Sequence, residues 1–279
     1  MTRKNSTAIR AGNGWHGGIV EWEDADIIYI SVAFSWLLDK AVQRKVELMA
    51  QGKSVLLGGT AANFAGIADT GQVSAISRHN PDACFTSYGC PNHCKFCIVA
   101  QTEGDLVELP EWEPKRIVCD NNLTACSRRH FDKVVDSLKP LSGIDINQGL
   151  SAMAITEYQA SRLAELDMSC IRLAWDNAGY ESKFMRGWDI IRRAGFPRSK
   201  ISVYVLIGYE DTPEDALYRL EMVRRLGGMP FPMRYQPLDC EKRNSFVGDN
   251  WTHKELVRYC RYWANLRITT KIPFAEFVY

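Results

Sequence analysis

Residues 201–215, ISVYVLIGYEDTPED, decide the fold class. The first seven are apolar or β-branched apart from one serine and one tyrosine, and they read as a buried strand. Gly208 breaks the run. Thr212-Pro213-Glu214-Asp215 then reads as a helix start: threonine caps, proline takes the first helical position, and the acids favour the positive end of the helix dipole. Ala216, Leu220 and Val223 recur at spacings of four and three, and Gly227-Gly228 ends the helix. This is one strand followed by one helix, the repeating element of a parallel sheet.

Working outward, further strand-like runs lie near residues 83–87, 117–120, 144–147, 171–175 and 233–236. Successive runs start 27 to 34 residues apart, the length of a βα unit. Thr156 reads as the cap of a helix running towards Leu166, with Ala160, Leu163 and Ala164 on one face. Six such units imply a parallel sheet, either open or closed into a barrel, and periodicity does not choose between them. Upstream, residues 27–34 read as a buried strand, 36–50 as a helix and 54–57 as a second strand. Residues 60–80 read as a connection. From Glu241 the chain reads as an extension, with one amphipathic helix near 254–266 and an aromatic tail at Phe274, Phe277 and Tyr279.

The chain has 279 residues, 46% of them hydrophobic and 24% charged, with a formal charge of +1. That composition supports a full core and gives no global field towards nucleic acid or membrane. No apolar run reaches membrane-spanning length, and the first residues lack the apolar core of a secretory leader. The nine cysteines are odd in number, and a chain this long does not need disulfide staples. The expected compartment is the cytoplasm, where clustered cysteines usually mean metal.

Three of those cysteines form the run CPNHCKFC at 90–97, in which Cys90, Cys94 and Cys97 have C-x3-C-x2-C spacing. Three thiolates from one short loop suit an iron–sulfur cluster or a zinc ion. For zinc, His93 inside the loop or Cys84 upstream would be the fourth ligand. The loop follows the first strand of the array, and ligands of parallel α/β folds sit at the carboxyl ends of strands.

This loop, with Phe96 before its third cysteine, resembles the signature of the radical S-adenosylmethionine (radical SAM) enzymes. The resemblance covers roughly residues 81–240. It implies a partial (β/α)6, TIM-like barrel, and the small N-terminal α/β segment at 1–80 and the C-terminal helical extension at 241–279 read above flank it. It also implies a 4Fe–4S cluster on Cys90, Cys94 and Cys97, with S-adenosylmethionine on the fourth iron. Reductive cleavage there gives a 5′-deoxyadenosyl radical that abstracts a substrate hydrogen.

Residues 171–179, IRLAWDNAG, look like the fourth strand of the branch containing methylthiotransferases and cobalamin-dependent members. Ala174, Trp175, Asp176 and Asn177 stand where that branch has glycine, an apolar residue, glutamate and serine. Residues 203–215 look like its fifth strand and turn: Gly208, Glu210 and Thr212 match, and the central Pro-Gly is absent. Cys119-Asp120-Asn121-Asn122 replaces the family's Gly-Gly-Glu stretch.

The resemblance places Phe96 near the adenine and makes Asp176 an acceptor for a ribose. Asp120 and Asn122 become candidates for the methionine ammonium. Gln148, Arg172 and Glu210 complete the cofactor candidates, and Arg172, Tyr235 and Cys240 are candidates for catalysis. The implied partners are a small-molecule or nucleoside substrate and an electron donor such as flavodoxin or ferredoxin. Residues 27–59 resemble part of the domain that precedes the barrel in cobalamin-dependent members, but are too short for all of it and read as a structural remnant. A nucleic-acid substrate is the alternative, because Lys254, Arg258, Arg261 and Arg267 are interleaved with Tyr259, Tyr262 and Trp263. The same pattern also fits a helix face that covers the barrel.

Overall fold

A computed structural model describes residues 15–69 and 76–278. The side chain of Arg267 and all of Tyr279 lie outside the described residues. Chain contacts divide the protein into two compact units, 1–83 with 236–245 and 84–235 with 246–279.

The first unit holds a three-stranded sheet of β1 (Ile19–Asp24), β2 (Ile27–Val32) and β3 (Ser54–Gly58). β1 and β2 are antiparallel, and β2 and β3 are parallel. The helix Leu38–Ala50 makes the crossover between β2 and β3. It follows a short 3-10 turn, so it starts two residues later than the sequence pattern predicts. β1 has no counterpart in the sequence reading. Ala25 and Asp26, both at positive φ, turn it tightly into β2. Ile28, Ile30, Val32, Leu48 and Leu57 form this unit's core.

The second unit is built on a larger sheet. Its strands β4 (Ala83–Cys84), β7 (Ile117–Val118), β8 (Ser142–Ile146), β10 (Asp167–Trp175), β11 (Ile201–Ile207) and β12 (Met229–Arg234) lie side by side in sequence order. β9 (Leu150–Ser151) also pairs with β10. The ladders from β7 to β12 are parallel. β5 (Ser87–Tyr88) and β6 (Val107–Glu108) form a separate antiparallel pair.

The helix Pro213–Arg225 begins as expected, with the Thr212 side chain accepting from the Asp215 amide, and Ala216, Leu220 and Val223 fully buried. Thr156 caps the helix Glu157–Leu163 with a capping box. That helix stops short of Leu166, and Ala164 is exposed rather than on the buried face. The sixth strand sits four residues earlier than its apolar pattern predicts. Pro230 and Pro232 obscure it in the sequence, but β12 pairs only with β11 and is an edge strand, where a missing N–H is tolerated.

The extension folds onto the same core. Leu256, Tyr259, Tyr262 and Trp263 of the helix His253–Trp263 are buried in it. Burying each such side chain contributes about 1.5–3 kcal/mol. Among the described residues no helix is long and apolar enough to cross a membrane.

Candidate active site

Parallel strands point their carboxyl ends the same way, and those ends carry most of the sequence candidates. Asp120 follows β7, Gln148 follows β8, Asp176 follows β10, Glu210 follows β11 and Tyr235 follows β12.

The cysteine loop springs from the β5–β6 pair. Gly89 turns it at φ 72°, and a Cβ there would lie 2.1 Å from the Asp105 carbonyl oxygen, so only glycine fits. The Cys90 amide donates to the Gly104 carbonyl (3.2 Å), and the Cys97 amide to the Cys94 carbonyl (2.9 Å). Glu103 clamps the loop, accepting from the Gly89 amide (2.9 Å) and from Asn121 Nδ2 (2.6 Å). Asn122 is buried and directs its Nδ2 at Cys90 Sγ (3.5 Å), while its Oδ1 accepts from Thr124 Oγ1.

All three loop thiols are partly accessible and none is in a disulfide. Among the described residues the only trio of His, Cys, Asp or Glu ligand atoms within 4.8 Å of one another is Asp120, Cys126 and His130. The zinc alternatives are otherwise engaged. His93 is exposed with its ring 3.1 Å from Asp105, and Cys84 is buried against the Lys115 carbonyl.

Asp176 lies beside the loop. Burial first, then the charges of Cys97 and Asp176, push the Cys94 thiol pKa up. Burial also raises Cys97, with Cys90, Asp176 and Glu103 adding and the Val99 amide opposing. Asp176 itself is pushed up to about 6 by burial, with Arg219 acting the other way. Arg219 is fully buried. It donates from Nη1 to the Trp175 carbonyl and from Nη2 to Asp211 Oδ2, tying the end of β10 to the turn after β11. Asp211 organises that turn by accepting from the Gly208 and Tyr209 amides. The sequence reading missed both Asp211 and Arg219. The only signal was an acid and a base eight positions apart, on a turn and a helix, which no local pattern singles out.

Phe96 meets Tyr209 edge-on at 5.9 Å, Tyr209 meets Tyr235 at 4.8 Å, and Tyr235 meets Phe246 at 5.1 Å. These rings form an aromatic wall running from the cysteine loop across the ends of β11 and β12. Glu210 is exposed beside it, and Gln148 is exposed at the strand-end turn.

Other candidates are committed elsewhere. The Arg172 guanidinium makes a two-pronged pair with Asp145 on the neighbouring strand, at 2.7 and 2.8 Å, and does not pair with Asp176. Burial lowers its pKa and the Asp145 hydrogen bonds more than reverse this, leaving it above its ordinary value. The Asp120 carboxylate is fully buried. It accepts from the Thr86 amide and hydroxyl and from Ser87 Oγ, and it faces Cys126 and His130. Cys240 belongs to the first unit, where its carbonyl accepts from Ser35 Oγ.

The aromatic residues of the C-terminal helix are not available as base-stacking platforms: Tyr259, Tyr262 and Trp263 are all buried. Arg258 donates to the Phe274 and Phe277 carbonyls and lies over the Phe274 ring, holding down its own tail. A surface cavity of about 180 Å³ near Ala164, Met168, Phe196 and Lys200 adjoins the amino ends of β10 and β11 and includes none of the candidates.

No family model and no curated protein sequence matches the chain. Among solved structures it is similar to TsrM, a radical S-adenosylmethionine methyltransferase from Kitasatospora setae solved with cobalamin and a [4Fe-4S] cluster bound. The two are 15% identical, with a TM-score of 0.42, over 57% of this chain and 38% of that one. The chain thus spans well under half of that enzyme's length.

Proposed function

We propose that the chain is a radical SAM enzyme acting on a small molecule or nucleoside. The observation that carries this reading is the cysteine loop itself. Its three partly accessible thiols lie at the carboxyl end of a parallel sheet, with an amide donor on one sulfur and a half-buried carboxyl beside the other two.

Cys90, Cys94 and Cys97 would hold a 4Fe–4S cluster, which together with S-adenosylmethionine supplies a 5′-deoxyadenosyl radical. The chain's own residues bind, orient and exclude water. Asn122 donates to Cys90 and so tempers its sulfur. Asp176 accepts from ribose hydroxyls. Phe96 and the Tyr209–Tyr235 wall give planar groups an apolar surface and keep water from the loop. Glu103 and Gly89 keep the loop in shape. Arg172, bound to Asp145, positions the end of β10. The partial (β/α)6 barrel over 81–240, the cytoplasmic setting and a flavodoxin or ferredoxin donor belong to the same reading.

The test is anaerobic. Reconstituted, reduced protein is incubated with S-adenosylmethionine and the products are separated. Formation of 5′-deoxyadenosine supports the reading. Its absence from protein that carries iron and sulfide would remove it. Deuterium carried from candidate substrates into 5′-deoxyadenosine would then identify the C–H bond attacked.

A further inference from the structure

A second cluster of metal-ligating side chains lies in the same unit, made of residues the cysteine loop does not use. Asp120 follows β7, Cys126 closes the 3-10 turn Leu123–Ala125, and His130 sits in the first turn of the helix Arg128–Leu138. All three are at least 93% buried, and their ligand atoms lie within 4.8 Å of one another. The hydrogen bonds Asp120 accepts come from neutral donors, Thr86 and Ser87. A buried carboxylate in such surroundings gains from a cation.

The surroundings also match those of a ligand set. His130 Nε2 lies 3.3 Å from Thr86 Oγ1, the hydroxyl that also bonds Asp120, so this nitrogen faces the cluster. Its other nitrogen, Nδ1, lies 4.0 Å from Glu108 Oε2. An imidazole with one nitrogen at the metal and a carboxylate near the other is the usual arrangement of a metal-binding histidine. The Trp112 ring lies against the imidazole, tilted by 54° with centroids 5.1 Å apart.

We propose that Asp120, Cys126 and His130 form a second metal site, one that takes a single zinc-class divalent cation and pins the end of β7 to the following helix. One sulfur, one nitrogen and one oxygen ligand suit a borderline cation of this kind. The Thr86 or Ser87 hydroxyl, or a water, completes four-coordination. Binding forms a metal–sulfur bond and releases the Cys126 thiol proton to solvent. Asp120 and neutral His130 release none, and no electron moves. The site stands whether or not the loop carries an iron cluster.

The test uses the full chain with Cys90, Cys94 and Cys97 all changed to Ala, loaded with zinc or cobalt and desalted. One metal per chain is expected, and the cobalt form should show thiolate charge-transfer and tetrahedral visible bands. Cys126→Ser should remove the charge-transfer band, and His130→Gln should weaken cobalt affinity at least tenfold in competition with a chromophoric chelator. X-ray absorption of the zinc form needs no change at the site and should give one sulfur and two or three lighter scatterers. Failure to retain metal, a sulfur count other than one, or a cobalt spectrum unchanged by Cys126→Ser would overturn the site. Should the triple variant not fold, zinc is counted beside iron in the reconstituted wild-type chain. One zinc is expected there, and none would overturn the proposal.

Discussion

Asp176→Asn is expected to stabilise the fold at neutral pH while weakening the cofactor site. The Asp176 carboxyl is held up from its ordinary 3.8 to about 6 by burial. Among the described residues no hydrogen bond compensates for its ionisation, and the Arg219 charge does so only in part. Fully expressed, a rise of that size is a penalty of about 3 kcal/mol on the ionised form. The side chain keeps some exposure to water, which screens the penalty to about 1–2 kcal/mol.

The sign follows from the raised value. Below the unfolded value of 3.8 both states carry the proton and there is no penalty; above about 6 both are ionised and the penalty is complete. Stability of the wild type therefore falls relative to Asp176→Asn as pH rises through that window. The assay is urea unfolding of cluster-free wild type and variant across acid to mildly alkaline pH, compared at equal m-value. The expected difference is near zero at the acid end and about 1–2 kcal/mol in favour of the variant at the other. A variant less stable at alkaline pH, or a difference that ignores pH, would refute the placement of an uncompensated carboxyl beside the loop.

Three further outcomes can be checked. Gly89→Ala puts a Cβ against the Asp105 carbonyl at positive φ, so a stability loss of at least about 1–3 kcal/mol and poor iron uptake are expected, read by melting and iron content. Arg172→Leu leaves Asp145 buried without its partner and should cost about 3–5 kcal/mol in urea unfolding, whereas Arg172→Leu with Asp145→Leu should recover much of it. Arg258→Ala should lower stability by about 1–2 kcal/mol through the freed tail while leaving polynucleotide affinity unchanged in a salt titration. A salt-dependent loss of binding would instead return that helix to a nucleic-acid role.

The strand–helix rhythm was legible because its signals are local. Thr212-Pro213 and Thr156 mark helix starts by chemistry that acts within four residues. β1 was not legible because Ala25-Asp26 makes its hairpin turn without the glycine or asparagine that usually signals one. β12 was displaced because Pro230 and Pro232 read as strand breakers until the edge position is known. The cysteine loop stood out as a candidate ligand set from its spacing alone. The ion pairs around the strand ends were not legible. Asp145 with Arg172, and Asp211 with Arg219, meet only when strands or turns far apart in sequence are brought together. Asp120 showed the limit most clearly. Its place after the second strand of the array suggested the cofactor, and in the fold its carboxylate accepts from Thr86 and Ser87, with Cys126 and His130 nearby.

The central claim is that Cys90, Cys94 and Cys97 hold a four-iron cluster whose remaining iron meets S-adenosylmethionine. The most direct measurement is iron and acid-labile sulfide per chain after anaerobic reconstitution, with the electron paramagnetic resonance spectrum of the reduced protein recorded before and after adding S-adenosylmethionine. About four of each per chain, a spectrum that shifts on addition, and loss of both in Cys94→Ala are the expected results. A loop that takes zinc instead of iron, or a cluster whose spectrum ignores S-adenosylmethionine, would contradict it.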